Sequence, residues 1–450
     1  MKRVIFVFGL LMAFSLAYST TFAKTVADPG QLGPYEVGFT YFLLVDDSRD
    51  TASGFGGRPI PVYMWYPVNP ADIDGGTPEA TYPLDPYYGS MPQVGSSSFE
   101  LYGLDPAYHE PESSSDTPFP LVMFSPGWGS SSLFHVSIGT RLASHGFTVA
   151  IVTHYGDRVL PWYPLHHIAE ASMNRPLDVS FALDHVLDKN NSPEDLLYGL
   201  VNPDQIAAAG WSVGGYAAMT LAGGDDMVCD TFFDPEAVAD FGPPPLQTCV
   251  TSLPDPRIKV IVPLDGANQI LRFYELARIT IPTMGIGQEF ETALDWQARQ
   301  HAAIQAHPSY RIDLNNSIHY SFSDICEVYR VGGDMGIFTP EEVNEALEIS
   351  CTDSIPSLTA HQLVNKYMIA FLKTQLEGKT GYQHILTPGW AIKMEPDIEF
   401  FVTEKKNPNA IDEDWPDMFI YFINQPGSEM ASADKNPETL RRFQHVGLIR

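Results

Sequence analysis

Short apolar runs bounded by turn residues alternate with helix-period stretches through the middle of this chain. Pro120–Ser125, Phe147–His154, Ile206–Gly210, Ile258–Leu264 and Ile281–Gly287 are nearly continuous in apolar and small residues, the pattern of strands covered on both faces. Between them, Leu133–His145 has a helical pattern. Arg175–Asp188 carries apolar positions at 177, 179, 181, 183, 186 and 187, which predicts a helix started by Pro176. Ala293–Ala306 reads as a helix before a strand at Tyr310–Leu314, and Thr359–Leu376 reads as a closing helix. Upstream, Gly38–Val45 and Ile60–Pro67 read as paired strands. This alternation predicts an α/β fold with a mostly parallel central sheet and helices on both faces.

The remaining stretches lack periodicity. Residues 68–118 are rich in Pro, Gly, Ser and Asp and read as a long surface excursion; a second irregular insertion falls near 222–256. Residues 396–450, of mixed polarity with several prolines, read as a C-terminal extension, leaving 24–395 as one domain. At the start, Met1-Lys2-Arg3 precedes the apolar stretch Val4–Ala17 and the small-residue segment ending at Ala23, the pattern of a signal peptide over residues 1–23. That run is too short to span a membrane, no cysteine lies near the cut for a lipid anchor, and no later run reaches about 18 apolar residues. The expectation is a secreted or periplasmic protein with no stable membrane insertion. In an oxidising compartment the cysteines pair, and proximity favours Cys229 with Cys249 and Cys326 with Cys351. A formal charge of −29 argues against nucleic acid as a partner.

Candidate chemistry centres on Gly210-Trp211-Ser212-Val213-Gly214, placed between a strand and a small-residue helix. This is the nucleophile-elbow pattern: glycines two before and two after allow the sharp turn that presents Ser212, and the Val213 N–H opens the helix as an oxyanion donor. A serine nucleophile needs a base and a carboxylate to hold it, here in the order Ser, Asp/Glu, His. Asp265 stands at the exit of the strand ending in Leu264, and His319 lies in a turn-rich segment after Tyr310–Leu314. His301 and His307, in or beside a helix, read as solvated histidines instead. The loop Ser125–Ser130 is placed to give a second donor, the Trp128 N–H, with its indole as a wall for an acyl group.

These residues resemble the α/β-hydrolases grouped with platelet-activating-factor acetylhydrolases and predicted dienelactone hydrolases. The likeness spans roughly residues 35–395 and includes Trp65-Tyr66-Pro67, Leu142–Phe147, the elbow, Leu264–Ala267 and Ser317–Phe322. It implies Ser212 as nucleophile, Asp265 as acid, His319 as base, and Trp128 and Val213 as oxyanion donors, with no cofactor and no metal. Pro126-Gly127 and Gly210-Trp211-Ser212 depart from the family's usual His-Gly and Gly-His-Ser, and are similar to bacterial polyester hydrolases of the cutinase type. Those enzymes take their acid from the loop after the next strand, where this chain has Glu289 and Glu291; the shorter carboxylate at a clean strand exit favours Asp265.

The expected function is therefore a serine carboxylic-ester hydrolase working through an acyl-enzyme on short-acyl lipid or small esters, with polyesters as the alternative substrate. A catalytically inactive binding protein on the same fold is the rival from another class. Peptidase activity has no sequence feature in its favour. Asp72 and Asp74, and Asp225 with Asp226, lack a full calcium-ligand loop and read as solvated acidic turns; His145 and His154 read as locally hydrogen-bonded, and His166-His167 as a possible border of the site.

Overall fold

A computed structural model describes residues 27–403, apart from 51–53, most of 84–104, 158–165, 226–252, 267–270, 290–296 and a few single positions. The signal-peptide pattern, Cys229, Cys249, His167 and Glu291 lie outside the described residues. Ten strands form one sheet: β1 (Glu36–Asp46), β2 (Arg58–Val68), β3 (Tyr108–His109), β4 (Phe119–Ser125), β5 (Thr148–Val152), β6 (Val201–Trp211), β7 (Ile258–Leu264), β8 (Thr283–Gln288), β9 (Ser309–Leu314) and β10 (Ile398–Thr403). Their order is β10-β9-β8-β7-β6-β4-β5-β2-β1-β3. From β5 to β9 all neighbours run parallel, while β2 and β10 join antiparallel at the two flanks. This is the expected α/β-hydrolase arrangement.

The helices cover both faces because the strands send alternate side chains to each. On β4, Val122 and Phe124 enter one core with α1 (Val136–Ser144) and the long helix Ser357–Gln375, whereas Leu121 and Met123 enter the other with α2 (Ile168–Asn190) and α3 (Val213–Met219). On β6, Ala207 and Ala209 face one side while Ile206 and Ala208 face the other. Trp65 is fully buried; a side chain on Gly139 of α1 would run into its indole, so this helix packs directly on the ring.

Three expectations change. Pro176 lies inside α2, which begins at Ile168. A mid-helix proline loses one hydrogen bond and costs about 3 kcal/mol or more, but the preceding residue, Arg175, is fully buried and bonded on the sheet side. Tertiary anchoring thus carries the helix through. The excursion after β2 is not wholly superficial: Tyr82 is buried edge-on against Phe39, and β3 adds to the sheet beside β1. The sheet also continues past residue 395, since β10 pairs with β9 from Ser309↔Thr403 to Leu314↔Ile398. Beyond β9, Cys326 and Cys351 form a disulfide joining α4 (Ile325–Asp334) to α5 (Pro340–Cys351); the helix Ser357–Gln375 follows as α6.

Burial also sets an acid limit on the fold. It pushes His135 and His154 down to about 3, and His145 down to about 4. In each case the unfolded chain takes up a proton first as pH falls below about 6.5, so stability declines from there toward the folded values, by up to about 1.4 kcal/mol per pH unit for each histidine. Urea unfolding between pH 7 and pH 4.5 is expected to show this loss, and His145→Gln is expected to flatten it by roughly a third. A pH-independent unfolding free energy across that window would contradict the burial argument.

Candidate active site

At the end of β6 the chain turns so tightly that Ser212 takes φ 56° and ψ −122°, a conformation unusual outside glycine. A Cβ on Gly214 would be driven into the Ser125 carbonyl, and one on Gly210 into the Gly214 backbone. The flanking glycines are therefore required by backbone crossing. The Ser212 N–H donates to the Leu264 carbonyl at 3.0 Å, which ties the turn to the residue before Asp265. Val213 is the first residue of α3, where an N–H has no partner within the helix.

Asp265 also has a positive φ, 40°, where a short polar side chain is better tolerated than most. Its N–H donates to the Ile286 carbonyl at 2.7 Å, and its Oδ1 receives Gln297 Nε2 at 3.3 Å. Its Oδ2 accepts a hydrogen bond from His319 Nδ1. Glu289 does something else: its carboxylate accepts the Asn316 N–H at 2.5 Å, bracing the loop that leads to His319.

Trp211 joins His319 to the turn. Its indole N–H donates to the His319 carbonyl at 2.9 Å, and its ring lies 4.8 Å from the imidazole at 32°. The other edge of that indole fills the space beside Gly127, where a Cβ would run into the ring and crowd Ser212 Cβ. The structure thus brings Ser212, Asp265, His319, Val213 and the Gly127–Trp128 loop to one place. Sequence reasoning gave Trp211 no role beyond the motif; nothing in its position alone indicates the bond to a residue 108 places away.

A buried charge network underlies the loop. Arg175 donates to the Pro126 and Gly127 carbonyls at 2.6 and 2.9 Å and pairs with Asp157 at 2.5 Å. In a trans peptide the C=O and the following N–H point in opposite directions. Fixing the Gly127 carbonyl on Arg175 therefore turns the Trp128 N–H away from the core. Beside it, His154 bridges Ser125 Oγ at 2.8 Å and Asp178 at 2.9 Å, and Asp178 receives Arg58 Nε at 2.7 Å. Against the raising effect of burial, Arg58 and Arg49 hold the Asp178 carboxyl well below its usual range, while at Asp157 burial dominates and pushes it up to about 6. The His154 partners lie 24 and 29 residues away, so the local hydrogen bonding expected of it is a long-range brace. The sequence offered no signal for Arg175 except a basic residue on a helix.

Other candidates fall elsewhere. His301 is half-buried and bonded to the Ser309 carbonyl at 3.0 Å, so it is not a solvated helix-face residue; the turn to Ser309 runs beneath it. Asp225 is buried and accepts the Tyr216 hydroxyl at 2.9 Å, whereas Asp74 is exposed and closes its own turn. His166 pairs with Glu170 at 3.0 Å. The Trp128 indole packs partly buried against the α2–α3 core, with no acceptor for its N–H among the described residues.

Residues 20–181 match the family model described as platelet-activating factor acetylhydrolase, isoform II. The guinea pig (Cavia porcellus) platelet-activating factor acetylhydrolase is 24% identical over 438 residues, covering 87% of this chain and 86% of the relative. The chain is similar to platelet-activating factor acetylhydrolases and has the α/β-hydrolase fold. A ferulic acid esterase from Streptomyces cinnamoneus shares the fold with a TM-score of 0.53 at 20% identity, over 82% of this chain and 96% of that one. The likeness to platelet-activating factor acetylhydrolase supports an ester-hydrolysing serine hydrolase.

Arg175 acts on the site through the loop it holds, so it is a positioning residue. Arg175→Lys keeps the charge but loses the planar fork that reaches both carbonyls and Asp157. The expected result is a fall in kcat of about 100-fold with KM little changed, because the displaced N–H serves the transition state. Steady-state kinetics on folded variant check this; unchanged kcat, or a loss confined to KM, would remove the positioning role.

Proposed function

We propose that Ser212, Asp265 and His319 are the catalytic triad of an exported carboxylic-ester hydrolase acting on short-acyl lipid or small esters. The observation that carries this reading is the His319 imidazole, bonded to Asp265 and clamped by Trp211 next to the strained Ser212. His319 Nε2 takes the Ser212 proton as Oγ attacks the ester carbonyl, and Asp265 holds the resulting imidazolium. The Trp128 and Val213 N–H groups receive the oxyanion. Protonation of the leaving alcohol by His319 gives the acyl-enzyme, which water cleaves by the same steps in reverse order. The Ser212 hydroxyl has no hydrogen-bond partner among the described residues. Such contacts commonly tighten only when substrate is bound.

Export rests on the signal-peptide pattern of residues 1–23, and the Cys326–Cys351 disulfide suits an oxidising compartment. The short-acyl preference rests on the similarity to platelet-activating factor acetylhydrolase over most of the chain. Polyester hydrolysis is the second reading, favoured by Pro126-Gly127-Trp128 and Gly210-Trp211-Ser212. Glu289 is committed to the Asn316 N–H and the imidazole is bonded to Asp265, which supports Asp265 over Glu289 as the acid in this reading too.

Ser212→Ala is expected to lower ester turnover by about 10⁶-fold with folding unchanged, and Asp265→Asn by about 10⁴-fold. Glu289→Gln is expected to lose far less, since it braces the loop without touching the imidazole. Retained turnover in folded Ser212→Ala, or a larger loss in Glu289→Gln than in Asp265→Asn, would overturn the assignment. For substrate, p-nitrophenyl acetate, butyrate and longer esters are compared with a short-acyl phospholipid and a polyester film. The expected ranking puts acetyl and butyryl esters first; release of product from the film faster than from the small esters would reverse the two readings.

A further inference from the structure

One group of buried polar atoms beyond the triad converges without protein partners. Asp324, Glu327 and His361 are only 0, 5 and 7% exposed, and each offers a ligand atom within 4.8 Å of the other two. Asp324 Oδ1, Glu327 Oε2 and His361 Nδ1 have no hydrogen-bond partner among the described residues. Their other polar atoms are committed. Asp324 Oδ2 accepts the Ser137 N–H at 2.8 Å, Glu327 Oε1 accepts the Ser357 hydroxyl at 2.6 Å, and His361 Nε2 bonds the Ser323 carbonyl at 3.1 Å.

The last bond decides the chemistry. A carbonyl only accepts, so Nε2 carries the proton, and in a neutral imidazole Nδ1 is then a lone pair. That lone pair faces Asp324 Oδ1 at 3.5 Å. Two acceptors face each other in a buried space with a third beside them, an arrangement that a cation between them would neutralise. A proton on Nδ1 would satisfy Asp324 but leave Glu327 Oε2 unpaired; Arg330, on an exposed stem, reaches only the other oxygen, at 3.6 Å.

We propose that Asp324, Glu327 and His361 form a divalent-cation site of the zinc class. Two carboxylates and a neutral imidazole balance a 2+ charge, so the buried group becomes neutral on binding. Nitrogen and oxygen donors without thiolate suit zinc. At zinc–ligand distances of about 2.0–2.2 Å, the edge of a tetrahedron is about 3.4 Å, close to the observed 3.5 Å between Nδ1 and Oδ1. A carbonyl on the far ring nitrogen is the usual way a ligand histidine is oriented. A further oxygen is close by in the fold: Asn365 Oδ1, one turn along α6 from His361, also lacks a partner, and its amide nitrogen reaches Ser137, the residue that caps Asp324.

The site has a structural consequence. The Asp324 N–H donates to the Phe134 carbonyl, so a bound cation clamps the segment just past His319 to α4, α6 and the start of α1. Its role is to hold the base's loop, and binding is independent of ester turnover.

The test uses untagged full-length protein purified without chelator. Plasma mass spectrometry is expected to give one zinc per chain. After stripping with dipicolinate, calorimetric titration with zinc chloride is expected to show one saturable site and a rise of several degrees in Tm at about 100-fold excess over Kd. Ser212→Ala is expected to bind equally. Glu327→Gln and His361→Gln are each expected to weaken binding more than tenfold, about the least that loss of a ligand does. Absence of saturable binding, or stoichiometric binding kept by both folded variants, would overturn the proposal. Should either variant fail to fold, X-ray absorption on the zinc-loaded wild type decides: one imidazole among oxygen ligands supports the site, and coordination without imidazole overturns it.

Discussion

The tightest constraint in the molecule is the crossing of two backbones at the head of the sheet, where the turn around Ser212 passes the end of β4. No Cβ fits at Gly210 or Gly214, because the Ser125 carbonyl and the turn itself fill that space. Everything at the site is set out from this contact. The elbow fixes Ser212 in its unusual φ and ψ, brings Gly127 close to its Cβ, and holds Leu264 by a hydrogen bond so that Asp265 follows at a known place. A strained residue persists only where its surroundings determine it, and here strands on both sides do so.

The loop that faces Ser212 is held from below by charge rather than by apolar packing. Burying Arg175, Arg58, Asp157 and Asp178 is expensive, and the arrangement is favourable only because each has matched partners. Removing one member of such a pair typically costs about 3–5 kcal/mol, far more than an exposed ion pair is worth. An apolar plug would fill the same volume. It could not bind two carbonyls and thereby aim the N–H groups of the same peptides at the opposite side. The network is thus explained by direction, which dispersion forces do not supply.

The proposed base is held by a different device. His319 begins a short 3-10 turn, Asp265 takes one ring nitrogen, and Trp211 both packs its ring against the imidazole at a tilt and bonds the backbone. Glu289 and the Cys326–Cys351 disulfide restrict the chain on either side. One indole therefore couples the proposed nucleophile Ser212, the Gly127–Trp128 loop and the proposed base His319. This also gives a physical reason for tryptophan at the second position of the elbow, since a smaller residue would leave the space beside Gly127 empty.

The strands, their parallel pairing and the position of Ser212 were legible in the chain because they depend on local pattern: apolar runs for doubly covered strands, glycines where a Cβ cannot fit, small residues where a helix meets the sheet. Asp265 and His319 were legible as candidates because the order of parts along this kind of sheet is fixed by topology. What remained hidden depends on partners far apart in sequence. Pro176 marks a helix start by local rules, yet α2 runs through it because Arg175 is anchored across the sheet. Glu289 and Asp265 stand at equivalent strand exits, and only the fold decides which carboxylate meets the imidazole. The Trp211 clamp, the brace under the Pro126–Gly127 peptides and the converging Asp324, Glu327 and His361 share one cause. Side-chain polar groups choose partners by distance in space, and a sequence records only distance along the chain.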